Sequence, residues 1–458
     1  MIQFYNSLTK KKENFVPIKK GKVSIYTCGP TVYDNAHIGN YRTFLFEDFL
    51  KRTLLAFGYD VFHVMNITDV DDKTIQKANE EKKTLNEITD YYISNFKDDL
   101  KSLSIFPSDR LPRATDHVGQ MIEMIKALID KGYAYVTDDG SVFFSIDAYE
   151  DYGALSNIDM NQAVRGDRVA SDEYNLDNPS DFALWKSYKK EDGNVKWSSP
   201  WGLGRPGWHI ECSAMSIEYL GRHFEIHCGG VDNKFPHHEN EIAQSICATN
   251  KPFVNFWMHS EFLTVDGEKM SKSLGNYYCL NDLKKEGLTV EEFRYIVLSP
   301  HYRSKVNFSL DKKHEAKKAI QRIMGLKERL EKFDESESVE LPRGADHFIS
   351  ALENDLDSPA ALAIFFDWVR ETNSKLDNNE LLKSDIQKGK NFINYFNSIF
   401  AVLHEKLDVP SNILKLVNER EHARKNNDWT KSDNIRQELD KIGWNIKDTP
   451  SGPKLTAK

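Results

Sequence analysis

The sequence predicts an α/β fold built on a parallel sheet, interrupted by a loop-rich insertion and followed by helices. Three observations predict it. Residues 23–28 (VSIYTC) form a short β-rich run that ends in the turn pair Gly29-Pro30. Phe44, Leu45, Phe49, Leu54 and Leu55 then recur near helical spacing up to Gly58, and residues 59–67 (YDVFHVMNI) read as a second strand. Strand, glycine turn, helix and strand make a βαβ unit with a parallel sheet. The same texture returns at residues 224–228 (FEIHC), which lead into Gly229-Gly230, and from about Glu291 the chain reads as mostly helical.

The remaining elements follow in order. Residues 74–103 and 121–131 carry helical periodicity. Residues 133–200 hold short strands, charge runs and turn residues, the texture of an inserted module. Residues 316–333 and 345–376 are amphipathic, with an acidic linker at 334–339. Residues 413–441 form a charged helix, and residues 443–446 a terminal strand. No internal repeat is visible. The expected boundaries are 1–120 and 201–300 for the two halves of the sheet domain and 121–200 for the insertion. A helical bundle follows at 301–410 and a small last domain at 411–458.

Composition bounds the function. The chain has 458 residues and a formal charge of −9, with 40% hydrophobic and 29% charged residues, as in an ordinary globular protein. About 150 residues per domain suggests roughly three units. No apolar run approaches the roughly 20 residues that span a bilayer, and residues 1–15 lack the pattern of a secretion signal. Five cysteines, widely spaced, do not form a disulfide framework. Secreted, membrane and fibrous classes drop out, leaving the expectation of a cytoplasmic protein. The acidic balance argues against non-specific coating of nucleic acid. From Ser411 onward, however, ten Lys/Arg face seven Asp/Glu, so the tail differs in sign from the body.

Two segments carry chemistry. Residues 28–40 (CGPTVYDNAHIGN) lie between the first strand and the first long helix, where open parallel sheets place ligands. Gly39 permits close approach to the backbone, a helix N-terminus there attracts phosphate, and His37 can donate to a phosphate oxygen. A His-x-Gly at a turn is structural more often than functional. Residues 269–273 (KMSKS) supply two cations and two hydroxyls on one short loop, suited to a polyphosphate whose charge grows during reaction.

Together, in this order, the His37-Ile38-Gly39 turn and the Lys269–Ser273 loop resemble the two signature motifs of class I aminoacyl-tRNA synthetases. Four further segments, residues 26–34, 66–73, 205–213 and 235–241, are similar to cysteinyl-tRNA synthetases, in that family's order and over nearly the whole chain. The resemblance implies a Rossmann-type nucleotide-binding catalytic domain with an insertion, a helical anticodon-binding domain and a small C-terminal domain. It implies a ligase that activates L-cysteine with ATP and transfers it to the 3′ end of tRNA(Cys), acting as a monomer.

Site residues are carried over position by position. Cys28 lies at a strand end, Cys212 near a helix start, and His237 and Glu241 four apart on one helix face. Two thiolates, an imidazole and a carboxylate are ligand types that Zn²⁺ accepts. Without the resemblance, buried cysteines and a helix-face pair would be the simpler account; with it, these four are the expected ligands of one zinc that binds the substrate sulfur. His238 is set aside because adjacent helical residues point about 100° apart and cannot both face one metal. Cys228 and Cys247 read as small buried apolar residues. The resemblance further implies catalytic roles for His37, Asn40, Lys269 and Lys272, and ATP contacts, with Mg²⁺, for Gly39, Gly230, Asp232 and Lys272. It places Thr68 and Trp208 at the amino-acid pocket. Two departures stand out. Asn40 replaces the second histidine of the signature and cannot carry a proton, and residues 231–234 (VDNK) are less apolar than the family's version. A related family joins cysteine to an amino-sugar on the same core but lacks the extended C-terminal region, which this chain retains.

Overall fold

The computed structural model describes residues 1–158, 180–271, 274–333, 338–403, 410–426, 428–449 and 452–457. It divides into two compact units, Met1–Val402 and Leu403–Lys458. The heart of the first is a four-stranded, wholly parallel sheet in the order Val254–Ser260, Phe224–Gly230, Lys22–Thr27, Asp60–Met65. Phe224–Gly230 is buried at every position, as a strand covered on both faces requires. The expected βαβ unit is present, with Ile38–Ala56 as its crossover helix.

Several long helical stretches are broken where the local chemistry asks for it. The stretch at 74–103 is two helices, Asp72–Glu81 and Leu85–Ser102, because Lys82 turns left-handed (φ 55°) and Thr84 caps the second through the Glu87 amide. The stretch at 345–376 is likewise two, Ala345–Glu353 and Ser358–Asp377, parted by Asp355 and Leu356 at φ 62° and 56°. Apolar periodicity survives such a break, so pattern alone does not detect it.

The insertion carries a five-stranded antiparallel sheet, and its Phe144, Phe182 and Trp185 share one buried cluster with Tyr26, Ile210 and Met215 of the parallel-sheet region. It is part of the core that holds the site. The acidic linker at 334–339 falls largely outside the described residues. In the second unit, helices Ser411–Lys425 and Trp429–Lys441 pack on a hairpin, Trp444–Thr449 with Gly452–Ala457, around Ile413, Val417, Ile435, Leu439 and Ile446. Arg420 is buried there and donates to both oxygens of Asp448 at 2.8 and 2.9 Å. Trp444 packs against that core, while Trp429 stays 55% exposed.

The crossover helix is anchored at two depths. Near its start, the buried Arg42 guanidinium donates to the carbonyl oxygens of Val297, His301 and Tyr302 at 2.8–3.0 Å. One turn and a half later, Asp48 receives Arg52 at 2.8 Å and also Arg294, and Arg294 in turn donates to the carbonyls of Leu103 and Phe400. Asp48 and Arg294 are almost wholly shielded from solvent. Removing one member of such a set strands the opposite charge in a dry interior. Asp48→Ala should therefore lower the unfolding free energy of the first unit by about 3–5 kcal/mol, read as a lower denaturant midpoint. A change under about 1 kcal/mol, the range of exposed pairs, would show that the triad does not anchor the helix.

Candidate active site and metal centre

The carboxyl ends of the parallel strands open into a cleft of about 610 Å³. Its lining includes Cys28, His37, Gly39, Asn40, Trp208, Gly230, Asp232 and Lys269. The expected residues therefore gather at one place, although they come from segments spread over some 240 positions.

At the cleft's signature turn, His37 is the N-cap of the crossover helix. Its Nδ1 accepts from the Asn40 amide at 3.2 Å, and the Asn40 side-chain oxygen accepts from the His37 amide at 3.1 Å. This reciprocal cap gives Asn40 a structural reason to be there. Because Nδ1 is the acceptor, the proton of the neutral ring resides on Nε2. A Tyr277 ring stands edge-on to the imidazole at 5.2 Å, and the Ile38 amide donates to the Tyr278 carbonyl. The segment after the lysine loop thus clasps the signature turn. Gly39 is demanded by packing: a Cβ there would lie 2.6 Å from Met270 Cε and 2.9 Å from His37 Cε1. Gly230 is equally confined, since a Cβ would meet Asp232 Oδ1 at 2.3 Å. In the lysine loop, Asn276 ties the Ser271 amide to the Lys269 carbonyl at 2.8 and 3.2 Å. Lys272 and Ser273 lie outside the described residues.

Behind the cleft wall is a dry, donor-rich centre. Cys28 follows the central strand, Cys212 sits on helix Trp208–Leu220, and His237 and Glu241 occupy the first turns of helix His237–Thr249. Their four donor atoms lie within 4.8 Å of one another, with Cys28 Sγ 3.9 Å from Cys212 Sγ and 3.8 Å from Glu241 Oε1. His237 Nε2 lies 3.1 Å from Glu241 Oε1, while its Nδ1 is held by His209 Nδ1 at 3.0 Å and its face stacks on Trp208 at 4.2 Å. Nε2 itself makes no hydrogen bond of proper geometry, a buried nitrogen turned toward the other donors. Separations of this size, a mixed S/N/O donor set and an outer partner that fixes the imidazole suit a tetrahedral zinc.

Four histidines not singled out in the sequence complete the centre. His227 Nε2 contacts Glu241 Oε2 at 3.0 Å, and His238 Nε2 approaches Cys28 Sγ at 3.4 Å and Glu241 Oε1 at 3.9 Å. His238 Nδ1 meets His259 Nε2 at 2.9 Å, whose Nδ1 meets Ser7 Oγ at 2.8 Å; His209 is the partner of His237. Cys28, His227, His238 and Glu241 form a second compact donor set. His237 and His238 both reach the centre, but in separate sets, so the angular argument against their sharing one metal holds. His227 and His259 could have been found from their strands: each is a polar residue inside a run that is otherwise buried.

The electrostatics follow from burial against contact. Burial pushes the Glu241 carboxyl up, but His227 and His237 beside it bring it down to about 2. Burial likewise opposes ionisation of Cys212, and contact with Cys28 and His237 brings the thiol down to about 6. Burial lowers His238 far below the usual imidazole range, reinforced by its neighbouring histidines. Cys228 and Cys247 are buried and outside both sets. Thr68 lies behind the wall, where its side chain accepts from Asn66 at 3.2 Å and its backbone pairs with residues 30–32.

Comparison with known proteins agrees with this geometry. Residues 14–318 match the family described as the class I (C) tRNA synthetase catalytic domain, residues 347–404 the DALR domain, and residues 407–452 the cysteinyl-tRNA ligase anticodon binding domain. Among solved structures, methionyl-tRNA synthetase from Mycobacterium tuberculosis aligns with TM-score 0.60 at 14% identity, covering 83% of this chain and 90% of that one. A leucyl-tRNA synthetase complex from Agrobacterium radiobacter aligns with TM-score 0.60 at 10% identity, covering 85% of each. Fold and site are those of a class I aminoacyl-tRNA synthetase. Cysteine–tRNA ligases from Brachyspira hyodysenteriae and Chlamydia abortus are 46% and 45% identical, covering 100% and 99% of this chain and 99% and 97% of their own. The chain belongs to the cysteine–tRNA ligase family.

The confined signature turn is open to a direct test. Gly39→Ala should displace the His37 ring and lower the rate of amino-acid activation by roughly 10²-fold, the cost of about 1 Å of misplacement. Thermal stability should change little. An unaltered rate in the folded variant would mean that the ring's position does not matter.

Proposed function

We propose that this chain joins cysteine to tRNA(Cys) in two steps: ATP and L-cysteine give cysteinyl-adenylate and pyrophosphate, and the cysteinyl group then passes to the terminal adenosine. The observation that carries the reading is the dry S/S/N/O centre directly behind a nucleotide-sized cleft at the sheet's carboxyl end. Membership of the family supports it.

In this reading Cys28, Cys212, His237 and Glu241 would hold Zn²⁺, which when bound supplies a soft Lewis acid for the substrate's sulfur. Such an arrangement separates cysteine from serine where hydrogen bonds would not, because a hydroxyl is a far weaker acid and a harder ligand than a thiol. Trp208, stacked on His237, walls the amino-acid pocket, with Thr68 behind it. The substrate carboxylate attacks the α-phosphorus in line, with no covalent enzyme intermediate. His37 Nε2–H and Lys272 act on the phosphates, Lys269 adds positive charge, Gly39 and Gly230 admit the nucleotide, and Asp232 takes a ribose hydroxyl. Asn40 acts through His37 as a positioning residue, and Mg²⁺ accompanies ATP. The unit Leu403–Lys458 reads the anticodon, with the exposed Trp429 offering a stacking surface. The protein works as a cytoplasmic monomer.

Cysteine-dependent exchange of pyrophosphate into ATP tests the reading. It should be present with cysteine, weaker with serine by roughly 10⁴, and lost together with bound zinc in Cys212→Ser. Metal-free protein that still prefers cysteine strongly would refute the zinc role. Lys272→Ala should slow activation by roughly 10² while leaving ATP affinity nearly unchanged, because the ammonium follows charge onto the departing pyrophosphate. A loss of affinity at an unchanged saturated rate would contradict that. Truncation at Pro410 should spare exchange and impair charging; undiminished charging of full-length tRNA would exclude the second unit from recognition.

A further inference from the structure

One buried hydroxyl beside the donor centre has no assigned work. Tyr26 lies on the central strand Lys22–Thr27, two positions before Cys28, so both side chains leave the same face of the sheet. The residue is fully buried, and its ring meets the His227 imidazole edge-on at 5.1 Å. His227 in turn contacts Glu241 at 3.0 Å. The phenol oxygen is shielded from solvent and makes no hydrogen bond of proper geometry. The groups that bear on it electrostatically are Cys212, Cys28 and Glu241, three of the four proposed ligands, and Cys212 is also its hydrogen-bonding neighbour.

Buried hydroxyls are almost always partnered, so an exception asks for a reason. The surroundings supply one. A phenol keeps its proton at neutral pH and can donate one hydrogen bond. The side facing the donor centre offers no other donor-poor, acceptor-rich group than sulfur and carboxylate, and the Glu241 oxygens are already engaged by His227 and His237. A thiol is a poor acceptor; a metal-bound thiolate is a good one. The hydroxyl is therefore left over only while Cys212 carries its proton.

We propose that Tyr26 is a positioning and tuning residue whose hydroxyl donates to the Cys212 thiolate once the centre is loaded. This rests on the zinc reading of the centre. The donation withdraws electron density from sulfur. Two thiolates and one carboxylate leave a formal charge of about −1 around Zn²⁺, which blunts its pull on a further ligand. A hydrogen bond to one thiolate offsets part of that excess, and the substrate thiol then ionises on the metal at lower pH. No proton is transferred and no bond to carbon changes: the phenol keeps its proton throughout.

Cobalt is the probe. In cobalt-substituted wild-type protein the sulfur-to-metal charge-transfer band is recorded without substrate, then with cysteine across a pH series. Tyr26→Phe keeps the ring and deletes the donor. The resting band should move to lower energy, because a thiolate without its donor gives up charge more readily. Affinity for zinc should change by roughly 10–100-fold, the usual range for an outer-shell partner, and the new band formed with cysteine should need higher pH. Phe224→Leu, which alters packing 6.4 Å from the same ring, should leave the band in place. Should Tyr26→Phe not fold, incorporation of 3-fluorotyrosine, a stronger donor, should move the resting band the opposite way. An identical band and identical zinc affinity in folded Tyr26→Phe would overturn the assignment to Tyr26. Wild-type protein with no sulfur-to-cobalt band would instead overturn the metal reading itself, which separates the two failures.

Discussion

A carboxylate in a dry interior must be surrounded by partners, and Glu241 is surrounded. His227 meets one oxygen, and His237 meets the other with Cys28 and His238 close by, all shielded from water. Burying such a charge without partners would cost several kcal/mol, so the elements that bring those partners cannot drift independently. This explains why four segments of the first unit end where they do. The central strand must stop at Cys28, helix Trp208–Leu220 must begin one turn ahead of Cys212, and helix His237–Thr249 must start on its ligand. Strand Phe224–Gly230 must present His227 inward. The nucleotide cleft lies in front of this centre because the same strand ends define both.

The two ends of the cleft differ in kind. Behind it the donor centre is rigid, with outer partners on His237 and His238 and no solvent. In front, His37, Asn40 and Lys269 are on turns partly open to water, held by short-range caps and by the clasp between Ile38 and Tyr278. Selection by an amino acid's sulfur needs fixed ligands, whereas phosphate chemistry needs charges that follow a departing group. The fold supplies each at the depth where it is useful.

Much of this was legible in the residues alone. The βαβ unit was visible because its strand, turn and helix each carry a local signal, and the ligand positions because motif order survived over the whole chain. What escaped notice was assembled only in three dimensions. His209, His227, His238 and His259 come from three separate elements, and no spacing in sequence links them. The helix breaks at Lys82 and Asp355 escaped because left-handed residues leave the apolar pattern intact. Asn40 looked like a lost catalytic group from its identity; its hydrogen bonds make it the reciprocal cap of His37. Sequence order also suggested that the insertion stands apart, yet Phe144 and Trp185 contribute to the core beneath Tyr26.

Arg294 joins Asp48 of the crossover helix to the carbonyls of Leu103 and Phe400, and so links the sheet layer to the last turn of the helical bundle. Family boundaries fall between residues 318 and 347, but no free surface does. The bundle is therefore not an exchangeable module. A chimera that swapped it for that of another synthetase would expose the guanidinium's unanswered charge at the seam. Inheritance of this architecture proceeds by covariation across the junction rather than by the trading of parts.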